Sequence, residues 1–294
     1  MTNETKQGIK YMLLASFLFA FMGAFAKELS ASMNSVEIVF FRNVFGMILI
    51  ALSVYKKPLN QKGGKPFLLI FRGVAGFLAL LMFFYNISQI SLAEAMTFSK
   101  TSPIFTAIFA YIFVKERISF QGWVGVFIGF IGILFITKFD GSSLDKTDWL
   151  GILCGVGAGL AYTSIRELKN YYENRAIVLS FMTIGTIGPI ILMILAEFYE
   201  ATTFDFMIAP FTVPQTSDIV FIIALGLFST FAQIYMTKAY SSAKAGIIGT
   251  ISYSNIVFSI ILGMFLGDSF PDIWIFLGIL LIVYSGVLVS KVKS

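Results

Sequence analysis

The sequence predicts an all-α polytopic membrane protein, with ten transmembrane helices forming two inverted five-helix repeats. Three observations carry this reading. Apolar runs of spanning length follow one another with little interruption between Lys10 and Ser290. Hydrophobic residues make up 57% of the chain and charged ones only 13%, with a mean hydropathy of +0.86, which excludes a water-soluble globule of this length. Five windows precede the polar stretch from Phe139 to Asp148 and five follow it. Five is odd, so the second copy enters the bilayer with the opposite sense.

A hydrocarbon core about 30 Å thick takes roughly 20 residues of helix. In the first half the windows run from Ile9 to Ala26, Val36 to Tyr55, Phe67 to Ile90, Ala93 to Val114 and Phe120 to Ile136. Those of the second half run from Trp149 to Ile165, Ala176 to Ala196, Ile219 to Tyr240, Ala245 to Leu266 and Ile273 to Ser290. Barrel strands would be half as long and would alternate. The first window ends in Ala24-Phe25-Ala26 behind Lys6 and Lys10, which imitates a signal peptide. It is long for a signal core and the repeat needs it, so it is read as a retained helix. The repeats are placed at residues 9–138 and 149–290. A shift of 152 residues lays Ala93 on Ala245, Ile104 on Ile256, Ile108 on Ile260 and Glu116 on Asp268. Glycines four apart at Gly125 and Gly129, and at Gly151, Gly155 and Gly159, bare one helix face for close packing. Gly188-Pro189 reads as a hinge or a kink.

Charge sets the orientation, because Lys and Arg resist translocation. One face collects Lys6, Lys10, Lys56, Lys57, Lys62, Lys65, Arg72, Lys115, Arg117, Arg166, Lys169, Arg175, Lys238, Lys244, Lys291 and Lys293, against Lys27, Lys138 and Lys146 on the other. Both termini are therefore expected in the cytoplasm, in a multi-pass protein of the cell inner (plasma) membrane. The net charge of +5 then reports orientation, and no nucleic acid is expected as a partner. Trp123, Trp149 and Trp274 fall at window ends, where indole anchors at headgroups.

Several segments resemble the drug/metabolite transporter (DMT) superfamily, specifically its ten-helix EamA-type permeases with two EamA repeats. They are Val36 to Asn43 with Arg42, Phe71-Arg72-Gly73, Ser91 to Ala95 continuing through Pro103 to Phe105, Lys115-Glu116-Arg117, and Lys238-Ala239-Tyr240. The second copy departs from the first, with Asn255 in place of Pro103 and Asp268-Ser269 in place of Glu116-Arg117, so the two gates need not be equivalent. The resemblance covers the whole chain and implies transport, across substrates as different as amino acids, sugars and nucleotide-like metabolites. The segments from Glu37 to Arg42 and at Arg72-Gly73 also look like those of S-adenosylmethionine carriers.

An ionised side chain at mid-span costs roughly 2.5–3.5 kcal/mol on insertion scales, so it faces protein or a wet cavity. Arg42 and Lys100 are read as such groups, about 10 Å below the outer surface, suited to a carboxylate or phosphate. The alternatives are a structural pair of Arg42 with Glu37 or Glu94, and a Lys100 that snorkels outward. Pro103 removes a donor near Ser99, and a broken helix at depth is a common transporter site. Tyr162, Gln233, Tyr253 and Asn255, with Asn43, Tyr85 and Asn86, complete a set of hydrogen-bonding and aromatic groups for substrate. Each alone is equally an interhelical hydrogen bond. Glu37 and Glu94 are the coupling candidates, placed at the outer rim in contact with water.

The expected function is a secondary transporter moving a small polar organic metabolite, an amino acid or related zwitterion or anion, by alternating access. An S-adenosylmethionine or nucleotide-like substrate is the alternative. A lipid-linked-sugar flippase or a membrane-embedded enzyme is the reading from another class. With no His and a single Cys, Cys154, the usual nucleophile and metal sets are missing, so neither enzyme activity, metal nor cofactor is expected. Partners are the substrate and the bilayer, and a homodimer stays open.

Overall fold

The computed structural model describes residues 3–113, 120–136, 144–199, 204–243 and 245–290. The Lys115-Glu116-Arg117 segment, together with Lys138, Asp140, Glu200, Lys244, Lys291 and Lys293, lies outside them. Among the described residues all twelve regular elements are helices: α1 Asn3–Leu29, α2 Ser35–Lys56, α3 Pro66–Gln89, α4 Leu92–Ser99, α5 Ser102–Phe113, α6 Phe120–Ile136, α7 Lys146–Leu168, α8 Asn174–Ala196, α9 Asp218–Ser242, α10 Ala245–Ser252, α11 Ser254–Phe265 and α12 Ile273–Ser290. Six of them, α1, α2, α3, α7, α8 and α9, are long and apolar enough to cross a membrane. The fourth and ninth windows each hold two shorter helices end to end, α4 with α5 and α10 with α11.

Local chemistry sets the helix ends. Asn34 caps α2 by accepting the Glu37 N–H, while the Glu37 carboxylate accepts the Asn34 N–H, and Ser91 and Glu94 repeat this capping box at α4. Ahead of α3, Gly63, Gly64 and Lys65 all have positive φ, which suits two glycines, and Pro66 then opens the helix where no backbone donor is needed. Pro189 sits inside α8 without ending it.

The helices pair in a pattern that survives exchange of the halves. α1 runs along α9 and α7 along α3, whereas α6 pairs with α12 and α2 with α8. α5 lies on α7 as α11 lies on α1. The α7 glycines admit this approach: a Cβ on Gly155 would stand 1.9 Å from the Thr101 hydroxyl, and one on Gly159 would stand 3.1 Å from the Thr106 nitrogen. Phe, Leu and Ile side chains facing away from these seams stay exposed, as expected where the solvent is lipid.

Candidate functional site

Two helix breaks frame the centre of the bundle. α4 ends at Lys100, whose N–H still bonds the Met96 and Thr97 carbonyls, and α5 starts again at Ser102. The break thus falls ahead of Pro103, which occupies the first turn of α5, where its missing donor costs nothing. The matching break between α10 and α11 falls at Tyr253, two residues before Asn255, and has no proline. The departure of the second copy from the first therefore does not remove the break. Asn255 Nδ2 ties it to α1 by donating to the Ser16 carbonyl at 2.8 Å.

Between the breaks lies a cavity offering about 70 Å³ to the centres of water molecules. That is several times the roughly 10–15 Å³ a single water needs on this measure. Arg42, Lys100, Tyr162, Gln233 and Asn255 all line it, joined by Arg72, Ser99 and Cys154, against walls of Phe and Met. Arg42 Nη1 donates to Asn43 Oδ1 at 2.7 Å and Nη2 to Gln233 Oε1 at 3.4 Å. The Phe181 ring carries both guanidiniums, with Arg42 Cζ at 5.1 Å and Arg72 Cζ at 4.4 Å from its centroid, within cation–π range. Tyr162 stacks on Tyr240 with ring centroids 5.1 Å apart. Among the described residues no carboxylate lines the cavity, and none pairs with Arg42, Arg72 or Lys100.

The remaining sequence candidates sit elsewhere. Asn43 is buried beside the cavity, its Nδ2 bonded to the Val39 carbonyl and its side chain filling the space over Gly185. Tyr253 packs on Gly286 within a cluster of Phe98, Ile133 and Ile256, its hydroxyl without a partner. Tyr85 donates to Asp205 at 3.2 Å, and Asn86 Nδ2 donates to the Thr147 carbonyl at 2.8 Å, both away from the cavity lining.

Three expectations need correction. Glu37 is not bathed in water: it is fully buried, because the segment from Phe206 to Thr212 folds over it and Thr212 donates to its carboxylate through both N–H and hydroxyl. Neither Glu37 nor Glu94 is the partner of Arg42, since both carboxylates are occupied by capping boxes. Arg72, counted above with the cytoplasmic surface, is 1% exposed and faces the cavity. Helix α3 begins at Pro66, six residues before Arg72, a depth from which the side chain can turn either way.

Stacked membrane-length helices, two matched breaks and a charged cavity between them define a polytopic membrane transporter. Comparison with known proteins gives the family. The EamA-like transporter family matches residues 6–138 and again residues 144–291, and the chain belongs to that family. It is 34% identical over 294 residues to an uncharacterized transporter of Helicobacter pylori (strain ATCC 700392 / 26695), covering 99% of this chain and 96% of that one. It is 33% identical to the pseudopaline exporter CntI of Pseudomonas aeruginosa (strain UCBPP-PA14), covering 98% of each. A solved crystal structure, described only as that of a protein, shares the fold with a TM-score of 0.63 at 16% identity, over 97% of this chain and 95% of that chain. The family makes the chain a transporter rather than an enzyme, in a multi-pass membrane setting and with a small-molecule substrate.

Proposed function

We propose that the chain crosses the cell inner membrane ten times as two inverted five-helix units, 9–138 and 149–290. It moves a small polar metabolite bearing an anionic group by rocking those units about the central cavity. The observation that carries this reading is a cavity lined from both halves by Arg42, Arg72, Lys100, Tyr162, Gln233 and Asn255 with no carboxylate among them. The exchangeable helix pairing supports two halves that swap roles as inner and outer gate.

Charge favours an anion over S-adenosylmethionine, which is a net cation. Like charges 4 Å apart repel by about 4 kcal/mol at an effective dielectric of 20. Contacts of Arg175 with Lys57 and of Lys65 with Glu167 bring the basic ends of α2, α3, α7 and α8 together at one end of the bundle, while Asp205 and Asp268, paired with Lys146 and Lys27, lie at the other. This supports cytoplasmic termini. The test is uptake or efflux in vesicles: Arg42→Ala and Lys100→Ala are expected to abolish transport of an anionic or zwitterionic substrate while expression and insertion stay normal. Transport by both variants at the parental rate would refute the cationic site.

A further inference from the structure

The three cations of the cavity do unequal work inside the protein. Arg42 spends two donors on Asn43 and Gln233. Among the described residues Arg72 spends none: its Nε and Nη1 are buried without a partner, and the guanidinium rests on the face of the Phe181 ring. Lys100 sits at the α4 break and, among the described residues, its amine has neither a hydrogen bond nor an ion pair. A buried guanidinium with open donors is costly until an oxyanion reaches it, and arginine's planar fork suits a carboxylate or phosphate. The acceptors available for a substrate's other groups are few, the buried and unpartnered Asn255 Oδ1 being one.

We propose that the substrate carries at least two anionic groups, as a dicarboxylate or a phosphate ester does, and that Arg72 is the residue that selects for the second. This rests on the transport reading above and sharpens it. A zwitterion brings no net charge to three unpaired cations, and a monoanion leaves two uncompensated. A dianion can place one oxyanion at the unpaired Lys100 amine beside the helix break and its second at the open donors of Arg72.

The test is binding to the full chain in lipid nanodiscs at constant ionic strength. Succinate and glycerol 3-phosphate serve as dianions, acetate as the monoanion, glycine betaine as the zwitterion and choline as the cation. The dianions are expected to bind about tenfold or more tighter than the other three. Arg72→Gln is expected to weaken dianion binding about tenfold or more and acetate binding by less, so that the preference is lost, and Arg72→Lys to restore part of it. Should Arg72→Gln fail to fold, the ranking by the parent protein and by Arg72→Lys decides. Betaine or acetate binding as tightly as the dianions overturns this inference and leaves the transport reading intact. Failure of every probe to bind overturns it too, and overturns the transport reading only if Arg42→Ala and Lys100→Ala also transport normally.

Discussion

Glu37 offers a quantitative test, because the same carboxylate is a coupling candidate by sequence and a structural tie by geometry. Its oxygens accept the Asn34 N–H at 3.0 Å, the Thr212 N–H at 2.5 Å and the Thr212 hydroxyl at 2.9 Å, with the side chain fully buried. Hydrogen bonds to a charged group contribute about 1.5–3 kcal/mol each, and loss of a capping residue costs about 1 kcal/mol. The bonds share one carboxylate, and Thr212 at the rim regains water when freed, so the sum is an upper bound. Glu37→Ala is expected to cost about 2–4 kcal/mol. At about 2–4 °C per kcal/mol this lowers the melting temperature by about 5–15 °C. Glu37→Gln keeps the shape but offers a single acceptor oxygen to three donors, and should fall between. The assay is tryptophan fluorescence or size-exclusion survival after heating in detergent, run beside transport at several external pH values. Parental melting temperatures for both variants would refute the structural account. Parental stability together with a lost pH response in Glu37→Gln would make the residue a coupling group instead.

Other outcomes follow from the same geometry. Gly159→Leu should abolish folding or transport, and Gly159→Ala should cost about 1–3 kcal/mol, because the new atoms meet the backbone of α5 at the Thr106 nitrogen and Ser102 oxygen; unchanged melting of the Ala variant would contradict this packing. Cys154, buried and cavity-lining, should react with a small membrane-permeant maleimide only as the cavity opens, and bound substrate should slow that reaction; labelling indifferent to substrate would place the thiol outside the pathway. At the other end, the Asn60 N–H and Arg175 hold the Glu173 carboxyl below its usual range. A depressed carboxylate stabilises the folded state above its unfolded pKa and loses that contribution as pH falls through the folded value. Asn60 amide exchange, corrected for its intrinsic rate, should therefore stay protected at neutral pH and accelerate in acid below the ordinary glutamate range, whereas in Glu173→Gln it should be fast throughout.

Pattern alone exposed most of the fold, since hydropathy needs no partner to be read. The long helices α1, α2, α3, α7, α8 and α9 each coincide with a predicted window, and the small-residue face of α7 does receive α5. The breaks were half visible. Pro103 marked the first, but nothing in composition marks the second at Tyr253, where packing against α1 and Gly286 holds the chain.

The site divides along the same line. Arg42 and Lys100 could be named from sequence because a charge deep in an apolar run is conspicuous against its neighbours. Arg72 could not, because six residues from a helix end a cation is equally compatible with snorkelling to the surface and with turning inward. Only the neighbours decided it, α8 bringing Phe181 under a guanidinium that is left buried. Likewise Glu37 looked wet until the Phe206 to Thr212 segment, distant in sequence, covered it. Span count, apolar faces and charge bias belong to the chain itself, because each is a local transfer free energy between water and lipid. Which buried polar groups face one another, and so what the cavity can hold, depends on contacts between residues more than a hundred positions apart.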